Sequence, residues 1–263
     1  MGLFSDLSPG STQNYSGLIT SIRTRPTKNT NVNVNYTWSH CIGDPVNGFT
    51  SAGGAKADQT FSKAFDRRYD HGNCVLDRRQ IFNLTTVLAT PQFANNTLRM
   101  IGTGWRLSTI YKHTSGSPLA ITTGQDNALT GIAGQRPNQV LGDVYTSGSV
   151  APLGFYLNRD AFALPASGTY GNLGNYSVVG PSTWDFDMAL SRVFAIKESQ
   201  SLEFRAEAFN VPNSFRPLNP NVTTTSSQFG QLRSSRPPRI MDLTHPIPAD
   251  RFATPAVPRC VEF

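Results

Sequence analysis

The chain has 263 residues; charged side chains make up 15% of them, against 22 glycines and 18 prolines. With Asn, Ser and Thr also abundant, this composition argues against a helical soluble protein and for strands joined by polar turns. The net charge of +6 is spread along the chain with no nucleic-acid-binding signature, which sets nucleic acid aside as a partner. The sequence has no apolar run of the roughly 18 residues that a membrane helix needs, but barrel strands leave a weaker mark of about ten alternating residues each.

The opening Met1-Gly2-Leu3-Phe4-Ser5-Asp6 lacks the basic start and apolar run of a signal peptide, which counts against export unless the chain is a fragment. A first strand is expected over 15–25, then a polar turn at Pro26-Thr27-Lys28-Asn29, then a second strand over 31–39. In that second strand Val32, Val34, Tyr36 and Trp38 alternate with Asn31, Asn33, Asn35, Thr37 and Ser39, so one face is apolar and the other wholly polar. Such a strand suits a barrel between lipid and a wet lumen, or a water-soluble sandwich; periodicity alone does not separate the two.

A long connection over 40–79 follows. Cys41 and Cys74 lie in its loop-like sequence and are expected to pair in an oxidising compartment, where a bridge would contribute about 3–4 kcal/mol; the alternative is two free thiols. Cys260 has no evident partner. Asp66, Asp70 and Asp77 share this connection with His71, but without the ligand pattern of an EF-hand they read as a solvated loop paired with Arg67-Arg68 and Arg78-Arg79.

Further strands are expected over 80–89 and 105–114, with a short one at 119–123. After a second long connection, 124–183, come strands over 184–194 and 202–208, joined by Lys197-Glu198-Ser199-Gln200, and a last over 239–244. In 184–194, Trp184, Phe186, Met188, Leu190 and Phe194 share a face interrupted by Arg192, opposite Asp185 and Asp187. In 202–208, Leu202, Phe204, Ala206 and Ala208 oppose Glu203, Arg205 and Glu207. Asp185, Asp187, Glu203, Arg205 and Glu207 are therefore expected to face a hydrated lumen. Tyr36, Trp38, Trp105, Trp184 and Phe194 are expected at membrane interfaces, where aromatic girdles form. Short turns alternating with long connections repeat the outer-membrane barrel pattern.

Several motifs, in order, resemble the C-terminal barrel region of Oar-like TonB-dependent transporters. They are Asn35-Tyr36-Thr37-Trp38-Ser39, Asp77-Arg78-Arg79, Gly104-Trp105-Arg106-Leu107-Ser108, Ser115-Gly116-Ser117-Pro118-Leu119 and Arg136-Pro137-Asn138. Gly171-Asn172-Leu173-Gly174 with Gly180-Pro181 follows, then Asp185-Phe186-Asp187-Met188-Ala189-Leu190-Ser191. The series ends with Leu202-Glu203-Phe204-Arg205-Ala206-Glu207-Ala208-Phe209-Asn210-Val211, Phe229-Gly230-Gln231 and Pro238-Arg239-Ile240-Met241. The resemblance implies a plug inside a barrel of about 22 strands. It also implies uptake of a bulky nutrient in the cell outer membrane, driven through TonB. No plug or TonB-contact segment is recognisable, so TonB would act only through an N-terminal part that is absent here. After Met241 the chain departs from the family pattern into Thr244-His245-Pro246-Ile247-Pro248, with Pro255 and Pro258 beyond; proline removes ladder donors.

The sequence therefore predicts an all-β antiparallel meander. Residues 1–243 form a partial, open transmembrane β-barrel of about seven or eight long strands with two long loops, and 244–263 a disordered Pro-rich tail. Its partners are outer-membrane lipid and the missing barrel strands and plug, and it reads as a truncated or frame-shifted remnant without transport activity alone. No cofactor, metal or catalytic motif is recognised: His40, His71, His113 and His245 lack metal spacing. An exported soluble β-sandwich that binds glycans or acts as an adhesin is the alternative, with a hydrolase a distant third.

Overall fold

The computed structural model describes residues 12–44, 62–63, 66–131, 133–148, 150–197 and 200–244. The first six residues, Cys260 and the tail from His245 onward lie outside them. The described residues hold twelve strands: β1 (Gln13–Thr27), β2 (Thr30–Gly43), β3 (Gly72–Asn73), β4 (Gln80–Ala89), β5 (Trp105–Thr114), β6 (Pro118–Leu119), β7 (Asn138–Gln139), β8 (Phe162–Ala163), β9 (Val178–Val179), β10 (Thr183–Lys197), β11 (Gln200–Phe209) and β12 (Ile240–Thr244). One short helix, α1 (Asn96–Gly102), lies between β4 and β5.

The main sheet runs β1-β2-β4-β5-β10-β11-β12, antiparallel throughout, with β3 paired onto β2. It is an open meander. β1 and β12 do not pair with each other, and among the described residues no strand pairs with the outer edge of either, which leaves backbone donors and acceptors free there. The pairing register carries the alternation read in β2 across the whole sheet. Val34 lies between Ile22 and Leu84, Leu84 beside Tyr111, and Tyr111 beside Phe186. On the other face Asn35 lies beside Asn83, Asn83 beside Lys112, and Lys112 beside Asp185. Because side-chain direction repeats every two residues, a one-residue slip anywhere would reverse these faces, and the long strands show none over their paired central spans.

The connections differ sharply at the two ends. At one end lie the β1–β2 turn, the α1 connection and the β10–β11 turn; at the other lie 44–79, 115–182 and 210–239. Two long connections were expected, and the structure adds a third. The reason lies at Asn210 and Asn213, whose left-handed backbone (φ 52 for each) turns the chain off β11. Phe229-Gly230-Gln231 consequently sits within a folded excursion, well before the last strand. The expected strand over 119–123 is also not a wall strand. Only Pro118–Leu119 is extended in a ladder, paired with Val178–Val179 in a separate two-stranded sheet, and Thr122 makes a lone parallel bridge to Thr223.

The hydrophobic core is not in the sheet. Leu119, Ile121, Val144, Leu157, Ala161, Phe162, Leu173, Val178 and Phe229 form the buried cluster, and all of them belong to the long connections and their short strands. On the sheet's apolar face, by contrast, Leu18, Ile22, Trp38 and Phe204 remain exposed. Among the described residues no second sheet covers that face. A sandwich core would need one.

Candidate functional site

The two faces of the sheet and the lobe at its long-connection end are the features that can act on surroundings. On the apolar face, side chains sort by height. Towards the long connections lie Tyr36, Trp38, Phe82, Tyr111 and Trp184, with ring centroids 6.0 Å apart for Phe82–Tyr111 and 6.1 Å for Tyr111–Trp184. The middle rows are aliphatic or small: Val32, Thr86, Thr109 and Met188 in one, Leu88, Leu107, Leu190 and Ala206 in the next. Towards the short turns come Trp105, Phe194 and Phe204, with Phe194 and Phe204 edge to face at 5.7 Å. All five aromatics singled out in the sequence thus lie on this face, three in the upper band and two in the lower. Arg192, which interrupts the apolar pattern, sits in the lower band with its guanidinium 4.3 Å from the Phe194 ring centroid and 5.2 Å from that of Trp105.

The opposite face carries Asp185, Asp187, Glu203, Arg205 and Glu207, as the register of β10 and β11 requires. They do unequal jobs. Arg205 and Glu207 pair with each other at 2.5 Å. Asp185 is held by Arg216, and by Arg236 at 3.3 Å, both from the third long connection. Asp187 accepts the backbone N–H of Asn210 at 2.9 Å. Two of the five charges therefore fasten a loop to the wall. Arg216 had no distinguishing feature in the sequence, because an isolated Arg between Phe215 and Pro217 shows nothing of a partner on another strand.

The segment 74–78 folds over the long-connection end of this polar face. Cys41 and Cys74 are disulfide-bonded with Cα atoms 5.4 Å apart. The Cys41 N–H donates to Asp77 at 2.9 Å and the Ser39 hydroxyl to the Arg78 carbonyl at 2.9 Å. Beneath the segment is a groove of about 720 Å³ lined in part by Gln13, Tyr15, Thr37 and Ile81. Nearby, Asp44 accepts the Thr12 N–H at 2.8 Å and lies 3.1 Å from the His71 ring. The Thr12 N–H, with help from His71, holds the Asp44 carboxyl below the usual carboxylate range despite burial.

The described parts of the long connections form one lobe. Arg136 lies 3.7 Å above the Tyr69 ring and pairs with buried Asp70 at 3.2 Å. The Tyr69 hydroxyl donates to Gly171 O at 2.8 Å, and the Asn73 amide to Tyr176 O at 2.8 Å, so the first connection is pinned to the second. The second is joined to the third by Phe162 against Phe229 at 5.3 Å, and by the Thr225 hydroxyl donating to Thr123 O at 2.8 Å. Burial pushes the Tyr156 hydroxyl up to about 12. The carboxylates Asp66, Asp70 and Asp77 go to different partners: Lys63, Arg136 and the Cys41 N–H.

A family model described as an outer membrane beta barrel domain matches residues 1–242. No curated protein and no solved structure matches the chain.

Proposed function

Because the chain belongs to the outer membrane beta barrel domain family, we propose that it forms part of the wall of a TonB-dependent transporter of the Oar-like kind, taking up a bulky nutrient. The protein resides in the cell outer membrane. The observation that carries the transporter reading is the open, two-faced sheet. Trp184 and Phe194 on β10 are separated by roughly 33 Å at about 3.3 Å per residue. At a strand tilt of about 40° that becomes roughly 25 Å, the height of the apolar band of an outer-membrane barrel. The opposite face offers Asn33, Asn35 and Asn83, with Lys112 and the β10–β11 charges, to a wet interior. In a small closed barrel the first and last strands pair; here β1 and β12 do not, which suits an arc of a wider wall. The long connections face outside the cell in this reading and supply the recognition surface, as loops on rigid scaffolds do. No enzymatic role is assigned.

The test is uptake by cells with and without the chain, supplied together with the barrel strands and plug it lacks, in backgrounds with and without TonB, across a panel of bulky nutrients such as siderophores, cobalamins and oligosaccharides. Uptake that needs both is the expected result. Uptake that needs the chain but is indifferent to TonB would overturn the transporter reading and leave the outer-membrane location intact.

A further inference from the structure

The apolar face does not stop at the last ladder pair of β4 and β5. Helix α1 continues it. Asn95 caps this helix by accepting the N–H groups of Thr97 and Leu98 at 2.9 and 3.3 Å. Two side chains of the lower aromatic band hold its other end. The Trp105 indole donates to Ile101 O at 2.8 Å, and the Arg192 guanidinium donates to Met100 O. Both Trp105 and Arg192 belong to the apolar face, so the helix leans over that face and not towards the polar one. Gly104 permits the return into β5: its φ is +85, and a Cβ there would meet Val193 O at 2.6 Å.

What the helix presents is unusual for a connection. Leu98, Met100 and Ile101 are 55%, 71% and 61% exposed, with no protein over them among the described residues. Leu98 and Ile101, three apart, share a side of the helix. Residues 90–104 contain Arg99 and no acidic residue. The guanidinium of Arg192, between Trp105 and Phe194, leaves its Nε buried without a hydrogen-bond partner.

We propose that α1 is an interfacial anchor, seated by Leu98, Met100 and Ile101 in the phospholipid leaflet at the short-turn end of the wall. Continuity with the lower aromatic band selects lipid as the occupant, and the acid-free segment suits an anionic headgroup layer. An interfacial helix of this kind sits about 5–10 Å into the headgroup–acyl boundary. The inference rests on the outer-membrane reading of the wall.

The test uses the full chain in a Cys260→Ser background, labelled with an environment-sensitive fluorophore at Met100→Cys, Leu190→Cys or Ser147→Cys. Each labelled chain is inserted into phosphatidylethanolamine–phosphatidylglycerol vesicles containing lipids spin-labelled near the headgroup or deep in the acyl chain. The expected result is strong quenching at 100 by the shallow quencher, at 190 by the deep one, and none at 147. Adding Leu98→Ser with Ile101→Ser should remove most of the quenching at 100 and leave that at 190. Quenching at 190 without quenching at 100 overturns the anchor and spares the wall. Quenching at neither overturns both.

Discussion

Arg136 and Asp70 show what single residues contribute to this protein. Each is nearly fully buried, and removing one leaves the other charged and unpaired inside the lobe. Asp70→Asn is expected to destabilise the lobe by about 3 kcal/mol, read as faster proteolysis at Arg67 and Arg68. Replacing both partners with apolar residues, Asp70→Leu with Arg136→Met, is expected to restore most of the loss. Tyr156 supplies a pH signature. Its hydroxyl ionises at about 12 in the fold against 10.0 for the free side chain, so the native state favours the neutral form. The stability this gives is fully present below pH 10.0 and is lost as the pH rises towards about 12. Alkaline unfolding of the lobe in that window, followed by tyrosinate absorbance, should begin earlier in the native chain than in Tyr156→Phe.

At the scale of the element, the wall is defined by which face each residue takes. Met188 lies in the aliphatic middle of the apolar face and Asn83 on the polar face. Met188→Arg is expected to cost about 2–4 kcal/mol in the bilayer and to reduce the yield of protease-resistant protein in outer-membrane fractions, whereas Asn83→Arg should be tolerated. This division was legible in the sequence, because alternation in β2, β10 and β11 is written locally in residues such as Val32, Val34, Glu203 and Arg205. The site was less legible. Asp185 was assigned to the lumen, but its role in fastening the third connection depends on Arg216 and Arg236, far along the chain. The short ladders Pro118–Leu119 with Val178–Val179, and Asn138–Gln139 with Phe162–Ala163, have no periodicity to detect, since two residues cannot repeat a pattern. α1 was missed for the same reason: Asn96–Gly102 is too short to show a helical stripe.

For the whole molecule, the two unpaired edges set what the chain can do alone. Each exposed ladder group in lipid costs several kcal/mol. The purified chain is therefore expected to give no stable conductance in planar bilayers; steady channels would show that it closes its own wall. The placement of the core has a different consequence. The lobe buries Ile121, Leu157, Phe162 and Phe229 against one another, while among the described residues no second sheet covers the apolar face of the wall. Water drives the collapse of one part and the bilayer completes the other, so the two halves of the protein answer to different solvents. Hydrogen exchange should therefore show lobe amides protected even where detergent or mutation has loosened the strands, giving two separable cooperative units. A lobe carried this way can be remodelled without the membrane-spanning part having to adjust to each change.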